Sequence, residues 1–295
     1  MESIIKTSAF LLLSFFTTLT IADNQGESSL LWKISGPDLP QPSYILGTIH
    51  IMCAADRKAD PRLASTMNQV EQLIVELTVD TPEKNARMMS AMVNDQPLVE
   101  RLSSIQYAQL SEIIEKHTDF DIKLFNNMEM FAISAALLVS SFDCPIVGVE
   151  EGLEAMAKEK DMPIGELESI EEQISVLKAM EPPKRDGAWT EQEMKAFGML
   201  PDMFQAILSA YYSEDIDAIY QLIIEQLQMA ENSAELSDAV LDARNMKWVA
   251  KMPAIMEKKP TLFAVGAGHL GGPNGVINLL KKAGFEITPV YQATP

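Results

Sequence analysis

At 295 residues with 47% hydrophobic residues, the chain can bury a substantial core as one large domain or two small ones, which argues against a disordered protein. Acidic residues outnumber basic residues by 42 to 23, and the resulting formal net charge of -19 disfavours nucleic acid as a partner. The acidic residues are spread over the predicted helices, which indicates a solvated surface.

Residues 1–22 have the features of a secretory signal peptide. Lys6 precedes an apolar run, and the small residues Thr20 and Ala22 stand at the spacing that a signal peptidase reads. The run has about 13 residues and is therefore shorter than the roughly 20 residues that span a bilayer. We predict cleavage after Ala22 and export to the periplasm or the medium, with no membrane-spanning segment in the mature chain, residues 23–295.

The predicted mature chain opens with two strand-like runs, LLWKIS and SYILGTIHI, with a turn-rich segment between them. The helical spacing of Leu63, Met67 and Val70 predicts a helix next, and QLIVEL is then predicted as a short buried strand that ends near Glu76. A carboxylate in an apolar strand is costly to bury unless it is paired or bound to a metal, so Glu76 is a candidate site residue. The alternative is a glutamate at the strand end that faces solvent.

Helical patterns dominate the middle of the chain, and we predict helical insertions at about 80–143 and 187–250 within a single domain that spans residues 23–295. Between these stretches, CPIVGVEE returns to strand character and places Glu150 at a strand end. Glu150, and Glu168 in IGELES, are weaker carboxylate candidates of the same kind.

The C-terminal segment has the clearest local pattern. TLFAVG is predicted as a strand, AGHLGGPNG as a loop, VINLLKKA as a helix that Gly284 stops, and FEITPV as a closing strand. This order puts His269 at the carboxyl end of a strand, which is the edge where open α/β sheets bind ligands. The chain as a whole is predicted to have an α/β fold, with a central mixed sheet, a large helical insertion and the G-x-x-H loops at one sheet edge.

Two of the three histidines follow the same pattern, Gly-x-x-His behind an apolar run: Gly47 with His50, and Gly266 with His269. A glycine at a strand end lets the chain turn sharply without a Cβ clash, so that the imidazole three residues later can be aimed across the sheet edge. Two neutral imidazoles aimed at one point form a metal site when a carboxylate completes the ligand set, and Glu76 is the best candidate. The alternative is that both histidines are separately hydrogen-bonded loop residues.

The spacing of Gly266, Gly268 and Gly271 also matches the dinucleotide-binding pattern G-x-G-x-x-G between a strand and a helix. The chain ends roughly 20 residues later, too soon for a whole mononucleotide-binding half. An exported protein also meets few such cofactors. These glycines are therefore interpreted as backbone elements of the second motif.

The remaining residues of chemical interest are two cysteines and the third histidine. Cys53 and Cys144 lie 91 residues apart, and in an exported protein they are expected to form one disulfide, with buried free thiols as the alternative. His117 closes a predicted helix beside Lys116 and is expected to be exposed.

Several segments, taken in chain order, resemble the TraB/PrgY/GumN family, which includes the animal Tiki proteins. They are LWKIS with SYILGTIHIM, VEQLIVELTVD, PIVGVEEGLEAMAKEKDMPIGELESIEEQ, DARNMKWVAKM and TLFAVGAGHLGGPNGVINLLKKAGFEITPV. The resemblance covers nearly all of the predicted mature chain, and paired G-x-x-H motifs with an intervening strand glutamate are fairly specific.

The resemblance implies a metal-dependent hydrolase, with peptidase activity established for the animal members and presumed for many bacterial ones. His50, His269 and Glu76 would hold a divalent ion, with Mn, Co and Zn as candidates, that activates water against a peptide or small-molecule substrate. Glu76 is either the third ligand or the general base. The positions that match the family are Gly47, His50, Glu76, Glu168, Arg244, Asn245, Gly266 and His269, whereas Glu150 stands where many relatives are expected to have Asp.

Arg244 is a candidate for stabilising the developing oxyanion, and a surface arginine on a helix is its alternative. Two other functions remain open from the sequence. A non-catalytic binder would use the same cleft to sequester a peptide or a signal molecule, and a haem or iron carrier would use the histidines as axial ligands. Metal content with turnover identifies the enzyme, ligand binding without metal identifies the binder, and a visible absorbance band identifies the carrier.

Overall fold

The computed structural model of the protein describes residues 28–182 and 186–292. The predicted signal peptide, residues 1–22, and its cleavage site lie outside the described residues. Among the described helices, none combines the length and the apolar character needed to cross a membrane.

The described strands form one mixed sheet and one separate pair. Their bounds are β1 (Leu31–Ser35), β2 (Ser43–Thr48), β3 (Met52–Cys53), β4 (Gln72–Val75), β5 (Ile146–Val147), β6 (Ile164–Glu166), β7 (Thr261–Gly266) and β8 (Glu286–Pro289). The sheet has six strands in the order β6-β4-β7-β2-β1-β8. Strands β6, β4, β7 and β2 are parallel neighbours, and β1 is antiparallel to both β2 and β8, which confirms the predicted mixed α/β fold.

Most helices lie in two stretches of the chain, between β4 and β5 and between β6 and β7. The first helices are α1 (Pro61–Met67), α2 (Pro82–Ala91), α3 (Leu98–Arg101), α4 (Ser104–His117), α5 (Met130–Ser140), α6 (Val149–Glu159) and α7 (Ile170–Ala179). The later ones are α8 (Glu191–Gly198), α9 (Leu200–Tyr212), α10 (Ile216–Leu227), α11 (Ser233–Ser237), α12 (Ala243–Met256) and α13 (Val276–Lys282). A π-helical turn at Asp238–Asp242 joins α11 to α12 without a break.

The central strands are buried on both faces. Every residue of β2 is buried, and in β7 only the last residue, Gly266, is partly accessible. A strand covered on both faces has no polar side to alternate with an apolar one, so SYILGT and TLFAVG are near-continuous apolar runs. The sequence pattern at the sheet centre therefore follows from packing on both sides.

The described residues form two main hydrophobic cores. The larger one surrounds the sheet and includes Trp32 and Phe263. A separate core lies among the helices of the first helical stretch, around Leu110 and Ile133, and Trp189 from the second stretch completes it. The helices between β4 and β5 therefore pack around their own core and do more than cover the sheet.

The predicted disulfide is present, and the alternative of buried free thiols is wrong. Cys53 and Cys144 are bonded, with their Cα atoms 5.7 Å apart. Cys53 ends β3, and Cys144 lies two residues before β5, the strand that pairs with β3. The bridge therefore ties the segment after the first histidine motif to the chain 91 residues later.

The strand predicted at CPIVGVEE is mostly wrong. Only Ile146–Val147 are extended, and α6 begins at Val149, so Glu150 lies in the first turn of a helix. The amide groups at a helix N-terminus carry partial positive charge, which favours acidic side chains there. Glu150 and Glu151 supply that charge, and the helix starts where the apolar pattern favoured a strand.

The C-terminal strand, helix and strand form as predicted. Helix α13 ends at Lys282, and Gly284 has a φ of +93°, the left-handed conformation in which glycine commonly ends a helix. The predicted loop between β7 and α13 contains one short 3-10 helix, Ala267–His269. The second histidine motif therefore consists of a strand end followed by a helical turn.

Candidate active site at the edge of the sheet

Three neighbouring strands end close together at one edge of the sheet. Thr48, the last residue of β2, pairs with Gly266, the last residue of β7, and Val75 at the end of β4 pairs with Ala264. Because these strands are parallel, the residues that follow them emerge at the same edge, which is the usual ligand-binding edge of such sheets. His50, Glu76 and His269 are among those residues.

Glu76 is a mostly buried carboxylate, with 12% of its side chain exposed and a hydrogen bond on each oxygen. Its Oε1 accepts from the Gly266 amide at 2.6 Å, and its Oε2 accepts from Nη2 of Arg244 at 2.7 Å. Burial opposes ionisation, but positive charge at His269 and Arg244 outweighs it and lowers the pKa of Glu76 to about 2. Arg244 supplies this charge at neutral pH, where His269 is neutral. The alternative of a solvent-facing Glu76 is wrong.

His269 is 6% exposed and its ring is held from both nitrogens. Nδ1 lies 2.7 Å from Oδ1 of Asn245, whose Nδ2 donates to the carbonyl of Asn274. That second bond fixes the amide orientation, so we assign the His269 proton to Nδ1 and the lone pair to Nε2. Nε2 then accepts from Nη1 of Arg244 at 3.0 Å. Burial lowers the pKa of His269 to about 4, so the ring is neutral at pH 7.

Arg244 is buried at the centre of the cluster, so the alternative of a surface arginine is wrong. Its Nε and Nη2 donate to the two oxygens of Glu168 at 3.0 and 2.7 Å. Nη2 also contacts Gln173, and the guanidinium lies 4.7 Å from the ring centre of Trp248. Burial would lower the pKa of Arg244, but the bonds to Glu168 and Glu76 outweigh it and raise the pKa. The cluster therefore holds one cation against two carboxylates.

The π-helical turn before α12 contributes to this placement. It ends at Asp242, two residues before Arg244, and Nη1 of Arg244 also donates to the carbonyl of Val240 within the turn. Insertions of this kind inside α-helices are often found at functional sites. Here the turn lies next to Arg244 and accepts one of its hydrogen bonds.

His50 differs from His269 in its surroundings, because its side chain is 69% exposed. Its Nδ1 lies 2.9 Å from Oε1 of Glu150, and the same oxygen accepts from the Thr48 hydroxyl at 2.5 Å. The hydrogen bond to Glu150 raises the pKa of His50 to about 9, and the charge of Glu76 acts in the same direction. Nε2 of His50 has no protein partner within the part of the chain that the structure describes.

The motif glycines provide close approach rather than an unusual backbone conformation. None of Gly47, Gly266 and Gly268 has a positive φ. A Cβ on Gly47 would lie 2.8 Å from Cδ1 of Leu270, and a Cβ on Gly268 would lie 2.3 Å from Cδ1 of Ile223. A Cβ on Gly266 would lie 3.3 Å from Oε1 of Glu76, the oxygen that accepts from the Gly266 amide. A side chain at Gly47 would push the two motifs apart, whereas side chains at Gly268 and Gly266 would crowd Ile223 and Glu76.

Glu76 and His269 fit a divalent metal ion as a pair. Oε1 of Glu76 and Nε2 of His269 lie 3.8 Å apart. Two ligand atoms that each lie about 2.0–2.2 Å from one ion have this spacing when the ligand–ion–ligand angle is wide. No group of three His, Cys, Asp or Glu side chains suited to a metal occurs within residues 28–182 and 186–292. His50 is not part of such a group in this conformation, and Arg244 contacts both members of the pair.

Some residues of the cluster carry no signal in the sequence. Gln173, Trp248 and Asn274 have ordinary helical or loop contexts, and only packing brings them to the cluster. The prediction of an exposed His117 is wrong. Its ring is partly buried, because α8 packs over it at Gly198, and its Nε2 has no hydrogen-bond partner among the described residues.

The different surroundings of the two motif histidines predict opposite effects of pH on stability. The folded protein protonates His269 only near pH 4, whereas the unfolded chain does so near pH 6.5. The unfolded state binds more protons between these values, so stability falls as the pH falls. From pH 6.5 to 4.5 the loss is about 2–3 kcal/mol. His269→Gln, whose amide can make both hydrogen bonds, is expected to remove this pH-dependent loss of stability. Urea unfolding with chelator present measures it.

His50→Gln is the matched control for this measurement. Because its pKa is raised in the folded state, the contribution of His50 to stability is fully present below pH 6.5. It is lost as the pH rises through about 9. This contribution is small, because the exposed ring is screened by solvent. His50→Gln should therefore change the free energy of unfolding only below pH 9, and by a similar amount at pH 4.5 and at pH 6.5. The acid slope, which is the fall in stability between these two pH values, should stay as in the wild type. An acid slope of wild-type size in His269→Gln would contradict the prediction.

Comparison with known proteins gives a family and two relatives. The sequence model of the TraB/PrgY/gumN family matches residues 30–289. The uncharacterized protein YbaP of Shigella flexneri is 24% identical over 249 residues, which cover 81% of this chain and 88% of that protein. The uncharacterized protein YbaP of Escherichia coli (strain K12) is 24% identical over 248 residues, with coverages of 81% and 87%. The family match includes every site residue described above.

Proposed function

The chain belongs to the TraB/PrgY/gumN family, and we propose that it is an exported metal-dependent hydrolase, a peptidase, whose ion is held by His50, Glu76 and His269. The observation that carries this proposal is the 3.8 Å separation between Oε1 of Glu76 and Nε2 of His269. The Cys53–Cys144 disulfide is compatible with export.

The protonation states of the two buried donors support the proposal. Metal ligands must be deprotonated, and Glu76 is ionised and His269 neutral at pH 7. Asn245 acts as a positioning residue, because its Oδ1 accepts a hydrogen bond from Nδ1–H of His269 and so leaves the lone pair on Nε2. Glu150 holds Nδ1 of His50 but also raises the pKa of that ring to about 9, so Nε2 of His50 must release its proton before it can bind the ion.

A bound divalent ion would supply a water of lowered pKa and a Lewis acid for the substrate carbonyl. Side chains of the protein would bind the ion and stabilise the reacting groups. To bind such an ion, Nε2 of His269 must give up its hydrogen bond from Arg244, which keeps Glu168 as its partner. The Arg244 donor released in this way is the one that can stabilise a developing oxyanion. Glu76 serves as third ligand or as general base.

The proposal is tested by elemental analysis and peptide hydrolysis on protein purified without added metal or chelator. We expect about one divalent ion per chain and cleavage of a fluorescence-quenched peptide library with Mn²⁺, Co²⁺ or Zn²⁺. His50→Ala and His269→Gln should each lose most of the metal, because a site with two protein donors binds far more weakly than one with three. Wild-type protein that is metal-free and cleaves no peptide with any of these ions would overturn the proposal.

Two further variants sharpen the result. Glu76→Gln separates the roles of this residue, because a general-base variant keeps the metal and loses turnover, whereas a ligand variant loses both. His117→Ala is the matched histidine control, since His117 makes none of the contacts that join the site residues. It should retain full metal content and turnover.

A second candidate function is a non-catalytic protein that binds a peptide or signal molecule in the same cleft. The observation that favours it is the completeness of the cluster: Arg244 already satisfies both Glu76 and His269. Saturable peptide binding by metal-free protein, without turnover when Mn²⁺, Co²⁺ or Zn²⁺ is added, would select this function over the hydrolase.

A further inference from the structure

A large cavity lies against the sheet, separate from the cluster around Arg244. Its volume is about 900 Å³, within the range of roughly 300–1,000 Å³ that small-molecule sites occupy. It is an open cleft bordered by β2, the segment 56–60, α1, α6 and the end of α9. Its apolar lining includes Leu30, Leu46, Met52, Leu63, Leu153 and Met156.

The cavity lies beside the first histidine motif and away from the cluster around Arg244. Alternate side chains of a strand share a face. Leu46 lines the cavity, and the side chain of Thr48, on the same face, donates to Glu150, the partner of His50. His50, Glu76 and His269 are not among the described residues that line the cavity, so a ligand there would not contact the proposed metal ligands.

The partly buried acids of the cavity, Asp60 and Glu214, have their oxygens occupied by hydrogen bonds from the protein. Both oxygens of Asp60 accept from Arg62, and both oxygens of Glu214 do so as well. Glu214 also accepts from the amide of Leu30 and from Gln292. These carboxylates are held by donors of the protein, so they offer little to a cationic ligand.

Two cationic side chains without a protein partner among the described residues lie at the mouth of the cavity. Arg57 and Lys58 are exposed and line the cavity, and neither makes a hydrogen bond or ion pair with another described residue. The guanidinium of Arg57 extends across the mouth to α6, since a Cβ on Gly152 would lie 3.5 Å from its Nη1. The acid beside them, Asp56, accepts a hydrogen bond from the Tyr212 hydroxyl at 3.3 Å. The unpaired charged groups at the mouth are therefore Arg57 and Lys58, next to the exposed carboxylate of Asp56, on a protein of net charge -19.

From the apolar cavity and these free cations at its mouth, we propose that the protein binds a single-chain amphiphile with an anionic head, a free fatty-acid carboxylate. The alkyl chain occupies the space beside Leu46 and Leu153, and the carboxylate lies between Arg57 and Lys58. Apolar burial supplies affinity in proportion to chain length, and the charged hydrogen bonds select the sign of the head group. The site goes beyond the proposed hydrolase and does not depend on it.

The test is isothermal titration of the chelator-treated mature chain with sodium dodecanoate below its micelle concentration. We expect saturable binding of one molecule per chain. Octanoate should bind more weakly, by up to about fourfold for each CH₂ removed. Dodecyltrimethylammonium, which has the same chain and the opposite charge, should bind at least about tenfold more weakly than dodecanoate.

Variants locate the binding site. Arg57→Glu with Lys58→Glu should weaken dodecanoate binding by roughly tenfold or more. The matched control is Lys258→Glu with Lys259→Glu, an adjacent exposed pair outside the cavity, which should leave binding unchanged. Ala155→Trp, at an exposed position on the rim, should block binding without filling the core.

Three results would overturn the proposal: equal binding of the cationic amphiphile, unchanged binding in the Arg57 and Lys58 variant, or absence of dodecanoate binding. Binding to phosphatidylglycerol vesicles without binding of free dodecanoate would also overturn it, because the surface would then recognise a lipid headgroup. Metal content and peptide turnover do not enter these measurements, so failure here leaves the proposed hydrolase untouched.

Discussion

Replacing Arg244 with methionine is expected to lower the free energy of unfolding by about 3–5 kcal/mol, because it leaves two buried carboxylates without their cation. The side chains of Glu76 and Glu168 are 12% and 4% exposed, so solvent cannot replace the lost partner. Methionine keeps much of the side-chain volume, which limits the contribution of a cavity. Urea unfolding at pH 7 measures the change.

Two comparisons isolate the cause of this loss. Arg87→Met removes an arginine whose ion pair with Glu171 is long, at 3.8 Å, and exposed, and it should cost at most about 1 kcal/mol. Adding Glu76→Gln and Glu168→Gln to Arg244→Met should recover part of the loss, because the uncompensated charges are then removed. A loss of similar size in Arg87→Met, or no recovery in the triple variant, would show that buried charge is not the cause.

Removing the disulfide with Cys53→Ser and Cys144→Ser is expected to lower the free energy of unfolding by about 4 kcal/mol. The bridge closes a loop of 91 residues, and for this length the chain-entropy relation gives an upper value of about 4.6 kcal/mol. Because Cys53 follows His50 by three residues, the bridge also restrains the first histidine motif. Denaturant unfolding of the oxidised wild type and the double variant gives the difference.

A reductant separates the bridge from the side-chain changes. Dithiothreitol should destabilise the wild type by about the same amount and leave the double variant unaffected, since only the wild type has a bond to reduce. Equal stability of oxidised and reduced wild type would contradict the prediction. Mass analysis after alkylation confirms the oxidation state in each sample.

Local patterns in the sequence were sufficient to predict five of the six sheet strands and the C-terminal unit, whereas the three-residue strand β6 was not predicted. SYILGT and TLFAVG are apolar runs of strand length, and Gly284 marks the end of a helix, so neighbours along the chain carry the information. The same reasoning failed at Glu150. There the apolar run PIV was outweighed by a helix start that local acidic residues favour, and pairing with β3 kept only two residues extended.

The candidate residues Glu76 and His269 were also recognisable, because an acid in an apolar strand and a repeated Gly-x-x-His pattern are both local features. Their surroundings were not recognisable. In sequence the two motif histidines are alike, yet His269 is buried against Asn245 and Arg244, whereas His50 is exposed beside Glu150. The two rings therefore have pKa values shifted in opposite directions.

The sequence by itself determined most of the elements and which side chains are available for chemistry, since both depend largely on residues within a few positions of one another. Only the tertiary structure decided that Arg244 would be shared by Glu168, Glu76 and His269. The bonds of Arg244 to the two carboxylates join residues 76 and 168 positions apart, and the bond of Glu76 to the Gly266 amide joins residues 190 positions apart. Such contacts depend on how strands and helices from distant parts of the chain pack against one another, and charge and protonation at the site follow from that packing.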